Sequence, residues 1–390
     1  MVVCKFGGAV LATLEGFPAM ASIVSSLGDE SVVVVVSALG STTRLLDAAL
    51  ADAHSADMEG AMHHVAELER LHGVCLARLG LDGQAARSLQ VLVQEGLTAL
   101  TTMLRGIATT RQCTPRVRDR VLSWGEDLAR EIAVRWLNAQ GLSARSVPSR
   151  SVIVTTDEFG CARPLTEETT GHATALIAPL LAERHIVVIE GFVGQSMSGD
   201  VTTMGRESSN LTATLLGAAL DADMVTIYTD VEGVRSGDPH EVAHTAAREH
   251  LSYTQARIAA EAGVKLLYPT MMQPAEHAHI PVRIASAFAP TGASTVIDND
   301  VTDVEPIVVG VDLGNGMHRC TVVYIDTMRF LTTVSQILAS IHDCSPFDVF
   351  TDAASQRADV LVPSTHATTV IDRLHTTLCL RATQDEATTR

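Results

Sequence analysis

The sequence predicts an α/β fold in which helices sandwich a mostly parallel central sheet, with a smaller second module at the C-terminal end. Aliphatic runs of strand length alternate with longer helical patterns. The runs are apolar throughout, as expected of strands covered on both faces by helices. The last stretch of chain reads β-α-β-β-α, the order of a small ferredoxin-like module.

The strand candidates are Met1 to Phe6, Ser31 to Ser37, Val152 to Thr155, His185 to Ile189 and Met224 to Tyr228. From Leu45 to Leu137 the pattern is almost wholly helical: His63 to Leu71 and Leu89 to Leu104 both place apolar residues every three to four positions. A helix is expected from Tyr253 to Gly263, with Ser252 as N-cap and glycine at its end. Val282 to Ile284 follows as a strand. The segment Asp298 to Pro306 is acidic and poor in apolar residues, so the domain boundary is placed there, giving domains 1–298 and 305–383. In the second, Cys320 to Asp326 reads as a strand, Leu331 to Ile341 as a helix, Val349 and Val360 to Val362 as strands, and Ala367 to Leu378 as a closing helix.

Composition narrows the class. With 390 residues and 46% hydrophobic content, the chain can bury a large core. A formal net charge of -17 argues against a nucleic-acid partner, whose phosphates need clustered Lys and Arg. The seven cysteines are scattered and form no Cys-x-x-Cys pair, so reduced thiols are expected. The longest aliphatic run, Val32 to Val36, is far short of the roughly 20 residues that span a bilayer. Neither a membrane segment nor a signal peptide is read, and a cytoplasmic enzyme is the expectation.

Candidate chemistry concentrates in turns rich in glycine and hydroxyl groups. Gly191 to Gly194 and Thr202 to Arg206 precede a helix expected near Ser208, whose free amides suit an anion. Lys5, at a strand end before Gly7 and Gly8, could bridge transferring phosphate oxygens; alone it also reads as an edge lysine before a tight turn. Thr43 follows a buried strand, where open α/β sheets place ligands, although Ser41 or Thr42 could simply cap the next helix. Glu126 could accept from a substrate ammonium, or be a solvated carboxylate at a helix start. Arg206 could pair with a substrate carboxylate, or lie in a surface turn. Asp230 and Asp238 flank a glycine turn after Tyr228 and could serve a nucleotide or form Asx-turns. Lys265 could reach phosphates or stay solvated. Transfer of phosphate from ATP to a carboxylate would need no general base, because the acceptor is already ionised; charge neutralisation and alignment are what such a site must supply.

Taken in order, these motifs resemble the aspartate kinases of the amino acid kinase superfamily from Val2 to Ile297. Lys5 to Gly8 matches the opening KFGG, Val34 to Leu46 is similar to VVVSA...T..L, and Gly125-Glu126 matches GE. Phe159-Gly160 and Gly191 to Gly194 look like FG and GFxG; Thr202 to Arg206 matches TTxGR. Thr229 to Gly233 with Asp238-Pro239 looks like TDVDG...DP, and Leu251 to Pro269 resembles LSYxEA...GAKVLHP. The resemblance implies ATP-dependent phosphorylation of L-aspartate to 4-phospho-L-aspartate, towards lysine, threonine and methionine, by an enzyme of amino acid kinase fold. It assigns Lys5, Gly7 and Gly8 to the phosphates, and Thr43, Glu126, Arg206, Ser209 and Asn210 to the amino acid. Thr229, Asp230, Arg235, Asp238 and Lys265 would serve the nucleotide, with Lys5, Arg206 and Lys265 catalytic. Mg²⁺ would arrive on the ATP phosphates without direct side-chain ligands. The C-terminal module would be an ACT domain that pairs two chains into a homodimer.

The sequence departs from the family pattern at several of these places. Ala9-Val10 stands where Thr-Ser is usual, and Glu207-Ser208-Ser209-Asn210 where Gly-Gly-Ser-Asp is usual. A lost carboxylate at Asn210 would weaken a substrate ammonium by roughly ten- to a hundredfold. Arg235 replaces a frequent aromatic and Tyr268 a histidine. The C-terminal region has room for one ACT module where the family typically has two, and its first turn, Asp326 to Phe330, lacks glycines that admit an effector. Two further readings therefore accompany the first: a related kinase for another amino acid or small carboxylate, and a catalytically impaired regulatory subunit bearing an ACT domain.

Overall fold

The computed structural model describes residues 1–81, 83–205, 207–299, 305–325, 327–340, 348–352, 354 and 356–380. The chain forms two compact units, Met1–Val231 with Ile280–Thr291, and Glu232–His279 with Gly292–Arg390.

The first unit is built on β1 (Val2–Phe6), β2 (Val32–Val36), β3 (Ala144–Ser146), β5 (Ile186–Glu190) and β8 (Met224–Thr229), together with the strand Val282–Ser286. They run in the order β3, β5, β2, β1, β8, Val282–Ser286, and every neighbouring pair is parallel. All five valines of β2 are buried, as a strand between two helix layers requires. From β1 the order continues to β2 on one side and β8 on the other, and the crevice beyond the carboxyl ends of such strands is where open sheets bind ligands. A small second sheet joins β4 (Val154–Thr155), β6 (Val193–Ser196) and β7 (Val201–Thr203).

Helices α1 (Gly8–Leu11), α2 (Gly16–Ser26), α3 (Thr42–His54), α4 (Met58–Leu79), α5 (Gly83–Thr110), α6 (Pro115–Ala139), α7 (Thr166–Leu176), α8 (Ala178–Ala182) and α9 (Ser208–Ala219) complete this unit. Asp57 caps α4 by accepting the Gly60 amide, and Gly80 ends it at φ 60°. One stripe of α5, Leu89, Val93, Leu97, Leu100, Leu104 and Ile107, is buried. Helix α9 is buried from Ser208 to Gly217 and packs on β1, β2 and β8.

Two expectations shift. The strand expected from Val152 contracts to Val154–Thr155 and joins the small sheet, because Ser149–Ser151 forms a 3-10 turn whose Ser149 amide and hydroxyl bond Glu190. Helix α6 begins at Pro115, capped by Thr114, and runs unbroken through Gly125, so Glu126 lies mid-helix and not at a helix start.

The strand Val282–Ser286 of the first unit is β10; the second unit holds β9 (His250–Ser252) and β11 (Ser294–Asp298), which pair in parallel. Helix α10 (Tyr253–Ala262) carries the expected Ser252 cap as a capping box with Gln255, and ends on Gly263 at φ 115°; α11 (Pro269–Ala278) follows. Then β12 (Ile307–Asp312), β13 (Met317–Val323), β14 (Val349–Asp352) and β15 (Arg357–Pro363) form an antiparallel sheet in the order β12, β13, β15, β14. Helices α12 (Thr327–Ala339) and α13 (Ser364–His375) share one core with Cys320, Val322, Val360 and Val362. This is a ferredoxin-like sheet whose outer strand, β12, comes from the N-terminal side of the module.

The partition into units differs from a division at residues 298–305. Segment 232–249 is bound to the ferredoxin-like module: Val308 N–H donates to Ser236 O (2.8 Å), Val242 is buried in the module's core, and the Arg248 guanidinium reaches Glu305 and the Pro306 carbonyl. Composition marks where polarity rises, whereas these hydrogen bonds decide what packs together.

Candidate active site

In the first unit, Lys5 lies in β1 in register with Val35 of β2 and Ile227 of β8, and only 7% of it is exposed. Burial pushes its pKa down, against the pull of the Glu207 and Glu126 carboxylates. Its ammonium makes no hydrogen bond among the described residues. A Cβ on Gly7 would stand 3.6 Å from Nζ, so the side chain folds beside the turn that ends its own strand. A Cβ on Gly8 would lie 2.1 Å from the Ala38 carbonyl oxygen, and Gly40 N–H donates to Gly8 O at 3.0 Å. Only glycine permits that approach, which joins the loops after β1 and β2. The Gly7 amide already donates to Tyr228 O (3.2 Å), and the first bond within α1 runs from the Leu11 amide to Gly7 O (3.1 Å), so the Gly8, Ala9 and Val10 amides have no intrahelical acceptor.

Glu126 faces the same loops. The Ala38 amide donates to its Oε2 at 2.6 Å, and its carboxyl is 4% exposed. Burial, with Glu190 and Asp127 nearby, pushes its pKa up to about 8 against the opposing Ala38 amide and Lys5. Gly125 exists for packing: a Cβ there would be 2.5 Å from Thr42 Cγ2. Thr42 is wholly buried with its hydroxyl donating to Leu39 O (2.7 Å), whereas Thr43 is half-buried.

Residues that the sequence reading did not single out hold these loops in place. Glu190, at the end of β5, is fully buried; its Oε2 accepts from Arg130 (2.6 Å) and its Oε1 from the amide and hydroxyl of Ser149 (2.9 and 2.8 Å). Arg130 lies one turn beyond Glu126 on α6 and also bonds Asp127 and Ser146. Asp119, likewise buried on α6, accepts from the Gly160 amide (2.9 Å) and from the amide and hydroxyl of Thr203 (2.8 Å each). One signal was available: a charge ending an all-aliphatic run, as Glu190 does, must find a partner in the interior.

The turn after β5 leans on α9. A Cβ on Gly191 would sit 2.5 Å from the Ser209 Cβ, and the Phe192 amide donates to Thr212 (3.2 Å). Ser209 and Asn210 are both buried, and Asn210 Oδ1 has no hydrogen-bond partner among the described residues. Glu207, where the family pattern has glycine, stands at φ 62°. Arg206 lies outside the described residues. At the end of β8, Thr229 donates to the exposed Asp230 (3.0 Å) and its carbonyl accepts from Ala287 (2.8 Å).

The remaining candidates belong to the second unit. Lys265 and Asp238 form an ion pair at 2.7 Å, and the Asp238 Oδ1 accepts from the His240 amide (2.9 Å). Burial would raise the Asp238 pKa, but Lys265 and that amide hold it below the usual carboxylate value. The Arg235 guanidinium is bonded to the hydroxyl and carbonyl of Thr245.

The first unit thus combines a buried, hydrogen-bond-free ammonium, a glycine turn in close backbone contact, and a buried carboxyl that titrates near neutrality. Residues 1–286 match the model of the amino acid kinase family. The chain belongs to the amino acid kinase family.

Relatives of this chain include the chloroplastic aspartokinase 3 of Arabidopsis thaliana, 32% identical over 76% of this chain and 52% of the relative. Lysine-sensitive aspartokinase 3 of Escherichia coli K12 is 29% identical over 87% of this chain and 74% of its own. The chain spans about half the length of the plant relatives it matches. Among solved structures, E. coli aspartokinase III in complex with aspartate and ADP superposes with a TM-score of 0.83 at 23% identity, covering 97% of this chain and 99% of that one. That likeness establishes the fold, an amino acid kinase unit followed by the smaller module.

Proposed function

We propose that this chain transfers the terminal phosphoryl group of ATP to the side-chain carboxylate of L-aspartate, giving 4-phospho-L-aspartate. The observation that carries the reading is Lys5: a cation buried without a hydrogen-bonding partner is costly unless an anion completes it, and it sits beside the Gly7-Gly8 turn at the carboxyl edge of the sheet. Two anions must approach each other in this reaction, so a fixed ammonium that neutralises the transferring oxygens lowers the barrier directly. The choice of acceptor is supported by the aspartokinase relatives and by the aspartate and ADP bound in the structural neighbour.

In this reading Glu126 holds the substrate ammonium through Oε1, since Oε2 is engaged by Ala38. An arriving ammonium favours the ionised carboxylate, so substrate binding at neutral pH releases a proton from Glu126. Thr43, Ser209 and Asn210, with Arg206 by its place in the sequence pattern, are the further residues this reading gives to the amino acid. Thr229, Asp230, Arg235, Asp238 and Lys265 are the residues this reading gives to the nucleotide. Mg²⁺ arriving on the phosphates, without direct side-chain ligands, would supply further charge neutralisation. The C-terminal module acts as an ACT domain that pairs chains into a homodimer, and the enzyme works in the cytoplasm at the head of lysine, threonine and methionine synthesis.

One observation favours a second acceptor. Asn210 presents a carboxamide oxygen, unpartnered among the described residues, where the family pattern has a carboxylate, which weakens the hold on a bare ammonium. The test is incubation with Mg-ATP, hydroxylamine and a panel of amino acids, in which acyl phosphates are trapped as hydroxamates. Hydroxamate from aspartate alone is expected; product only from another acid transfers the reading to that acid, and none from any acid refutes kinase activity. Asn210→Asp should tighten aspartate binding by about tenfold.

A further inference from the structure

Ser236 is the most heavily bonded residue of the loop that follows β8. It is wholly buried; its amide donates to Ala246 O (2.8 Å), its carbonyl accepts from Val308 of β12 (2.8 Å), and its hydroxyl accepts from the Ala246 amide (2.9 Å). The remaining partner of that hydroxyl is His375 Nε2, at 2.8 Å. His375 is the last residue of α13 and 1% exposed. It also limits the loop sterically, since a Cβ on Gly237 would stand 3.1 Å from its Cδ2. Ser236 is flanked by Arg235, and two residues further on is Asp238, which pairs with Lys265.

From this geometry we infer that His375 is a positioning residue: through Ser236 it sets the loop that presents Arg235 and Asp238 to the nucleotide, so the ferredoxin-like module holds the nucleotide loop in its working conformation. The inference rests on the proposed nucleotide role of that loop. The Ser236 oxygen accepts the Ala246 N–H and shares one further hydrogen bond with His375 Nε2, which accepts from the hydroxyl in the Nδ1–H tautomer of the neutral ring. Burial and the Arg248 guanidinium hold the His375 pKa below its usual value, against the opposing Asp372 carboxylate, which favours the neutral ring. Removing that acceptor leaves a hydroxyl hydrogen unmatched in the interior, and the loop rearranges to satisfy it. Unlike an effector site, this link needs no ligand in the module.

The test is equilibrium binding of Mg-ATP to the full chain by calorimetry, with hydroxamate turnover alongside. His375→Leu, which keeps bulk but removes the acceptor, is expected to raise the Kd and KM for ATP about tenfold while kcat changes less than about twofold. His375→Gln, whose amide oxygen can replace Nε2, should restore ATP affinity to within about threefold of the parent. Ser236→Ala should match His375→Leu, and the double variant should be no worse than either alone. Unchanged ATP affinity in His375→Leu, or a loss that His375→Gln does not repair, overturns the positioning role, whatever the melting temperature does. Asp238→Ala and Lys265→Ala separate the two claims: if these leave ATP binding intact, the nucleotide reading of the loop fails; if they weaken it and His375→Leu does not, only the positioning role fails.

Discussion

The two candidate lysines occupy opposite physical regimes. Lys5 in the first unit is buried and, among the described residues, is attracted by Glu126 and Glu207 without a hydrogen bond, whereas the Lys265 side chain in the second is 80% exposed and directly paired with Asp238. An exposed ion pair contributes about 0–1 kcal/mol and needs no functional explanation. A buried cation without a hydrogen-bonding partner works against the folded state, so its presence points to an anionic ligand. Burial, more than charge, separates a lysine whose surroundings by themselves call for an anionic ligand from one whose charge is already matched within the protein.

Replacing each charge measures that contrast. The largest effect is expected from Lys5→Met, which should lower kcat by about 10³ or more while the melting temperature holds or rises. A collapse in stability with activity retained would make Lys5 structural and break the comparison. Arg130→Ala is the opposite kind of change, since it leaves Glu190 buried without its cation; urea unfolding should show a loss of about 3–5 kcal/mol.

Glu126 sharpens the comparison through pH. Its folded pKa of about 8 lies above the ordinary carboxyl value, so the protonated folded form is favoured. The associated stability is fully present below about pH 4.5 and is lost as pH rises through about 8. Unfolding of the ligand-free protein should therefore show a decline on the order of a few kcal/mol from pH 5 to pH 9, and Glu126→Gln should flatten it. An unchanged slope in the variant would place the titrating group elsewhere. The smallest change in stability belongs to Lys265→Ala, about 1 kcal/mol or less by urea unfolding, with a several-fold rise in KM for ATP that high salt reduces.

Much of the fold was legible because it is periodic. The all-valine β2, the α5 stripe from Leu89 to Ile107, and the Ser252 and Gly263 ends of α10 follow from local pattern and capping. The glycines were legible as turns, but their separate duties were not: Gly8 admits the Ala38 carbonyl, Gly125 admits Thr42, and Gly191 admits Ser209. Each neighbour lies far away in sequence, so spacing holds no trace of it. Short β3, β6 and β7 were missed because three or four residues give too little alternation.

By itself the sequence determined the strand and helix types, the family, and the identity of Lys5, Glu126, Asp238 and Lys265 as candidates, since motif order and local periodicity are properties of the chain. The tertiary structure alone decided that Lys5 is buried without a hydrogen-bonding partner, that Glu126 titrates near neutrality in mid-helix, and that residues 232–249 pack with the C-terminal module through Ser236 and His375. Solvation and hydrogen-bond partnership depend on which distant residues surround a group, and folding brings those residues together.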